Sequence, residues 1–120
     1  MQVFFSDGHL LAKEGIVMKM DRRPMRVALL GLGTVGRGVY DYILARDDME
    51  LAYVLSLTLF DGIPCKIAQS IDEILDDATV DTVVEVIGGL HPAYEWVTGA
   101  IRAGKNVITA NKLLIAAHYR

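Results

Sequence analysis

The chain has 120 residues, 52% of them hydrophobic and 22% charged, with 15 acidic against 12 basic residues and a formal net charge of -3. That is apolar material for one compact domain and too little length for two, and an acidic balance without a basic face excludes a general nucleic-acid binder. The lone cysteine, Cys65, excludes an internal disulfide, and the longest apolar-rich run, LAYVLSLTLF, is too short to span a bilayer as a helix, so a soluble protein of the reducing cytoplasm, with no membrane partner, is expected.

Residues 1–24 show no sustained period and read as an extension, with a short hairpin around Asp7-Gly8; Met18, Met20 and Met25 are each alternative starts. The opening MQVFFSDGHL carries Asp7 and no long apolar core, so it does not read as a secretory signal. Residues 25–120 form the domain. RVALLG is a short, nearly continuous apolar run ending in glycine, the pattern of a parallel strand buried on both faces. TVGRGVYDYILAR follows as a helix with Val35, Val39 and Ile43 at a spacing of four on its inner face. LAYVLSLTLF is the second strand, broken by DGIP, and CKIAQ is a brief third.

SIDEILDD opens with Ser70 and Glu73 at capping-box spacing, with Ile71, Ile74 and Leu75 as its buried stripe. DTVVEVIGG is the fourth strand, closed by Gly88 and Gly89. PAYEWVTGAIRAG is a helix with Pro92 near its first turn, Trp96, Val97, Ala100 and Ile101 facing inward, and Gly104 as its stop. NVITA is the fifth strand, and ANKLLIAAHYR turns into the start of a further helix. Alternating strands and helices with short connections predict an α/β fold: a Rossmann-type, doubly wound, mostly parallel sheet in a single domain. Right-handed crossovers bring Gly31 to Gly36, Ile87 to Pro92, and Ala110 to Lys112 to one edge of that sheet, where such folds bind ligands.

GLGTVG supplies Gly31, Gly33 and Gly36 in the G-x-G-x-x-G spacing, directly after a strand and at the start of a helix. Gly31 permits the tight turn, Gly33 lets a pyrophosphate approach the backbone, and Gly36 lets helix and strand pack closely. Free N–H groups at the helix start favour an anion; the competing reading is a glycine-rich turn that binds nothing. After the second strand, Ser56, Leu57 and Thr58 stand where an acid would select NAD, and no Arg or Lys waits for a 2′-phosphate, so the choice between NAD and NADP is open. Asp61 either reaches in or belongs to a plain Asp-Gly turn.

Gly88 and Gly89 allow close approach of the nicotinamide half, or serve a turn that needs positive φ, and the two readings are compatible. His91 reads as a helix-start residue rather than a base. Glu85, inside an apolar strand, needs a partner if buried; a structural role or an exposed strand end is favoured over catalysis. Lys112 stands at a helix start, where the dipole disfavours a cation; it serves an anionic or hydroxyl-bearing ligand or is an ordinary solvated lysine.

Taken together, GLGTVGRGV, VVEVIGG with PA shortly after, and AGKNVITANKLLIAAH resemble the amino-terminal nucleotide-binding domain of homoserine dehydrogenase, over about Arg26 to His118. That family, of amino-acid biosynthesis, reduces aspartate semialdehyde to homoserine with NADH or NADPH. The resemblance implies cofactor contacts at Thr34 and Val35 in the glycine loop, at Gly88 and Gly89, and at Lys112. A full enzyme of the family would cover the C-terminal edge of the sheet with its second part. Without that cover, apolar surface including Leu113, Leu114 and Ile115 is left exposed, so self-association into a homo-oligomer, through this terminus of the chain or an edge strand, is expected. The segment between LAYVL and SIDEIL is short for the family, and Leu57, Leu59 and Phe60 replace its usual polar or basic residues. The aspartate and lysine assigned to catalysis in the family follow this point in the chain and have no counterpart here, so the expectation is a truncated domain that binds cofactor without turnover, with no catalytic residue of its own. A domain of another amino-acid or dihydrodipicolinate-type reductase, and a stand-alone nucleotide sensor, are the alternatives.

Overall fold

The computed structural model describes residues 23–111 and the backbone of residues 2–4. Six strands and three helices follow one another along the chain: β1 (Gln2–Phe4), β2 (Met25–Leu30), α1 (Thr34–Leu44), β3 (Met49–Leu55), β4 (Lys66–Ile67), α2 (Ile71–Leu75), β5 (Thr82–Glu85), α3 (Ala93–Arg102) and β6 (Asn106–Thr109). They form one sheet in the order β1-β6-β5-β2-β3-β4. Strands β2 to β6 are parallel to their neighbours, and β1 pairs antiparallel with β6 on the outer edge, Gln2 opposite Thr109 and Phe4 opposite Val107. The doubly wound parallel sheet read from the sequence is present, and each of its five strands and three helices is found. The added strand lies within the stretch read as an extension; at three residues it is too short to show a period in sequence. The hairpin at Asp7-Gly8 and the helix beginning at Lys112 lie outside the described residues.

The sheet is apolar on both faces because its central strands are covered from both sides. One face gathers Ala28, Leu30, Val83 and Val107 with Ile74 of α2 and Ala93, Val97 and Ala100 of α3. The other gathers Val27, Leu29, Leu51, Val54 and Val84 with Tyr40 and Ile43 of α1. Between β2 and β3 the register steps from Val27–Leu51 to Ala28–Tyr53. Ala52 is the extra residue of this bulge, which is why Ala52 and Tyr53, adjacent in sequence, both join the first cluster.

The capping box of α2 is formed as its spacing predicts, Ser70 and Glu73 satisfying one another's backbone N–H. The inner face of α1 is covered less evenly than the expected stripe. Gly36, Tyr40 and Ile43 are buried, Val39 is half-buried, and Val35 is 56% exposed. Val35, Val39 and Ile43 nevertheless line one hollow between α1 and the sheet, opposite Val27, Val84 and Ile108, so the stripe faces inward and Val35 is its least covered member. At the edge holding the strands' N-terminal ends, buried Lys105 donates to the carbonyls of Asp77 (2.8 Å) and Val80 (3.0 Å). Loss of hydration lowers its pKa, with Asp77 and Asp81 opposing that shift.

Candidate functional site: a cleft at the carboxyl edge of the sheet

Strand β2 is central. The chain leaves it through α1 toward β3 on one side, while β5 continues through α3 to β6 on the other, so the loops after β2 and β5 diverge and open a crevice. Two hollows occupy this edge. One, of about 300 Å³, is lined by Gly31, Leu32, Gly33, Ser56, Thr58 and Trp96 among others; the second, of about 240 Å³, by Val35, Gly88, Ala110 and Asn111. Val86 and Ile87 form the wall between them.

The three glycines of the loop do three different things. Gly31 has φ +107°, and a Cβ there would stand 3.2 Å from the Val86 carbonyl carbon and oxygen. At Gly36 a Cβ would fall 2.2 Å from the Gly31 oxygen, so the start of α1 lies against the β2 turn only because this residue has no side chain. Gly33, the N-cap of α1, is exposed, and a Cβ there would meet nothing within 4 Å. It supplies no side-chain cap, which leaves the first-turn N–H groups to a ligand or solvent. Thr34 and Val35 are the first two residues of the helix, both exposed beside Gly33. An open glycine at a helix start, between two glycines where a side chain would strain or crowd the backbone, is a cradle a Cβ would fill, and it fits the pyrophosphate of a dinucleotide.

Ser56 stands where the ribose-binding acid is absent. Its Oγ accepts from Leu32 N–H and from Thr58 N–H, both at 3.1 Å, tying the end of β3 to the glycine loop. The sequence placed Ser56 at this edge but did not foresee that tie. Asp61 is exposed in the turn that follows. His91 contacts Glu95 one helical turn on, consistent with a helix-start role.

Across the crevice Gly88 (φ +82°) and Gly89 (φ +73°) are exposed, and each would leave a Cβ in open space. Beneath them Glu85 is fully buried. Its Oε2 accepts from the N–H of Ile87 at 2.8 Å and of Gly88 at 3.3 Å, and its Oε1 accepts from the Thr109 hydroxyl at 2.6 Å. Thr109 Oγ1 in turn accepts from Asn111 N–H at 3.0 Å, and Asn111 Nδ2 donates to the Gly89 carbonyl. The structural role read for Glu85 thus has its partners. Asn111 was missed; its signal was its place beside the lysine in TANK. Lys112 lies outside the described residues.

No residue lining the two hollows is ionisable, among the described residues. The groups with displaced pKa values are elsewhere: Thr79, then Tyr53, hold Asp77 down at about 2, and burial raises the Cys65 thiol. Among the described residues no cluster of acids, histidines or cysteines could hold a metal, and no helix is long and apolar enough to cross a membrane. A third hollow, about 380 Å³, lies between α1 and the sheet, lined by Met25, Val39, Tyr42, Met49 and Ile108. Its polar side chains are those of Thr82, whose hydroxyl has no partner, and Tyr42, whose hydroxyl accepts from Arg46 at 2.8 Å, so it offers no convergent polar groups for a cofactor.

The fold and the glycine cradle define a dinucleotide-binding α/β domain. Comparison with known proteins narrows the class. The sequence family described as homoserine dehydrogenase, NAD binding domain, matches residues 31–120, and the chain belongs to that family. It is 34% identical over 110 residues to the homoserine dehydrogenase of Lactococcus lactis and 39% over 106 residues to that of Corynebacterium glutamicum; these cover 78% and 77% of the chain. The crystal structure of Staphylococcus aureus homoserine dehydrogenase at pH 7.5 superposes with a TM-score of 0.71 at 34% identity, over 82% of this chain and 28% of that one. The chain spans about a quarter of the length of the relatives it matches, 26% and 24% for the two named.

Proposed function

We propose that this chain is the cofactor-binding domain of a homoserine dehydrogenase, acting on the aspartate semialdehyde/homoserine pair, and that it binds NAD(P) without turnover when alone. The observation that carries the reading is Gly33: an exposed, uncrowded N-cap glycine between Gly31, where φ +107° disfavours a side chain, and Gly36, where a Cβ would meet the Gly31 oxygen at 2.2 Å. Gly33, Thr34, Val35 and Gly36 would hold the pyrophosphate through backbone N–H groups, where the helix dipole favours negative charge, while Gly31, whose own N–H donates to the Leu55 carbonyl at 2.9 Å, would shape the turn beside it. Gly88 and Gly89 would give the nicotinamide half a close backbone approach, and Lys112 would contribute a cation beside it. The bound cofactor supplies the hydride acceptor or donor.

The absence of turnover is supported by the lack of an ionisable residue lining the hollows, among the described residues, and by the chain spanning about a quarter of its relatives. Cofactor affinity does not replace a partner for the carbonyl oxygen, because only interactions stronger in the transition state accelerate the step. The reading also includes a cytoplasmic homo-oligomer; Val35, Tyr42 and Leu44 leave apolar area of α1 in solvent, and light scattering tests the association. The function itself is tested by incubating the purified chain with homoserine and NAD⁺ or NADP⁺. No reduced nicotinamide should form, while NADH and NADPH should each bind saturably by fluorescence. Sustained homoserine oxidation, or no binding of either nucleotide, would refute it.

A further inference from the structure

The strand β5 carries a fully buried carboxylate in an otherwise apolar run, TVVE, and burying such a group is costly unless it is fully engaged. The bonds of Glu85 show what engages it. Two of its three partners are backbone amides of its own following turn, Ile87 and Gly88; the third is the hydroxyl of Thr109, the last residue of the neighbouring strand. From Thr109 the chain of hydrogen bonds passes to Asn111 and from the Asn111 side chain back to Gly89. The result is a closed ring: Glu85, its turn, Asn111, Thr109 and Glu85 again. Thr109 is fully buried and Asn111 is 6% exposed, so water does not compete freely at these joints.

We infer that Glu85 is a positioning residue that locks the two loops on the nicotinamide side into one unit. It sets the turn that holds Gly88 and Gly89 at positive φ and, through Thr109 and Asn111, fixes the point from which the chain continues into Lys112. The glycine loop touches this ring at Ile87 but has ties of its own. Its wall at Val86 is held by the Val86 N–H to Leu30 carbonyl bond of 3.0 Å, and Leu32 is held by Ser56. Glu85 therefore governs the nicotinamide half of the site and leaves the adenine half intact. This rests on the cofactor reading given above.

The test compares NADH with ADP, which has the adenine half and no nicotinamide, on the parent chain, Glu85→Ala, Glu85→Gln and Thr109→Val. Removing a buried acceptor strands its donors, so NADH should bind about tenfold more weakly or worse in Glu85→Ala, with ADP affinity within about twofold of the parent. Glu85→Gln keeps an acceptor for the turn and should fall between parent and alanine variant. Thr109→Val, which retains the shape of the side chain and removes its hydroxyl, should reproduce the selective loss and serves if Glu85→Ala does not fold. Equal weakening of NADH and ADP would show a general structural role and overturn the inference, as would unchanged NADH affinity in folded variants. If the parent binds NADH and the folded variants show no selective loss, this inference fails alone; if the parent binds neither NADH nor NADPH, the cofactor reading has failed and takes this one with it.

Discussion

Replacing Gly33 and replacing Gly36 should have opposite consequences, although both belong to the same six-residue motif. At Gly36 an added Cβ lies 2.2 Å from the Gly31 oxygen and 2.7 Å from its carbonyl carbon, both backbone atoms, so α1 must lift by roughly 1 Å to reach ordinary contact. Overpacking of that kind costs about 3 kcal/mol, and the better helix propensity of alanine returns about 1 kcal/mol. Gly36→Ala should thus lose about 2 kcal/mol, roughly 10 °C in melting temperature for a domain of this size. At Gly33 a Cβ meets nothing within 4 Å. Gly33→Val costs only the poorer N-cap, under about 1 kcal/mol, yet fills the space a phosphate must enter and should weaken NAD(P)H binding at least tenfold, or about 1.4 kcal/mol. The assay pairs a thermal melt with a fluorescence titration on each variant. The reasoning is refuted if Gly33→Val binds NAD(P)H like the parent, or if it melts as early as Gly36→Ala.

Three further outcomes follow from particular side chains. The buried Thr82 hydroxyl has no hydrogen-bond partner and faces an apolar hollow, so Thr82→Val should stabilise the chain by about 1 kcal/mol, read as a higher denaturation midpoint at unchanged slope. Among the described residues, the hollow beside Ser56 and Thr58 has no charged lining residue to select or reject a 2′-phosphate, so NADH and NADPH affinities should agree within about tenfold; a larger ratio in either direction would contradict this. Asp77 has its pKa lowered to about 2 by bonds from the Thr79 hydroxyl and amide and from Tyr53. The stabilisation it gives is complete above the unfolded value near 3.9 and is lost as pH falls through about 2, so Asp77→Asn should flatten the acid limb of stability against pH, by less than about 1 kcal/mol because solvent reaches the group.

Much of this fold was legible because its signals are local. Continuous apolar runs ending in glycine mark strands buried on both faces, and Ser70 with Glu73 marks the start of α2. The glycine loop was legible for the same reason: the tight turn, the close packing and the open N-cap are each requirements on one residue. What stayed hidden depends on partners distant in sequence. Val35 fits the spacing of an inward stripe, but that the hollow it lines is left partly open depends on Val84 and Ile108, far along the chain. The bulge at Ala52 is set by pairing with β2, twenty-odd residues away, and β1 has only three residues to announce itself. Glu85 was visible as an anomaly in an apolar strand, but its meaning needed Thr109, 24 positions later, to be placed beside it.

The central claim, that the glycine cradle and the loop after β5 together form the cofactor seat, is tested most directly by following backbone amide chemical shifts of the isotope-labelled chain during titration with NADPH. The largest changes should fall on Gly31 to Arg37, Ser56 to Thr58 and Ile87 to Leu90, with the N-terminal ends of the strands and the hollow around Tyr42 and Met49 undisturbed. Changes centred on that apolar hollow, or no saturable change at the glycine loop, would contradict the account.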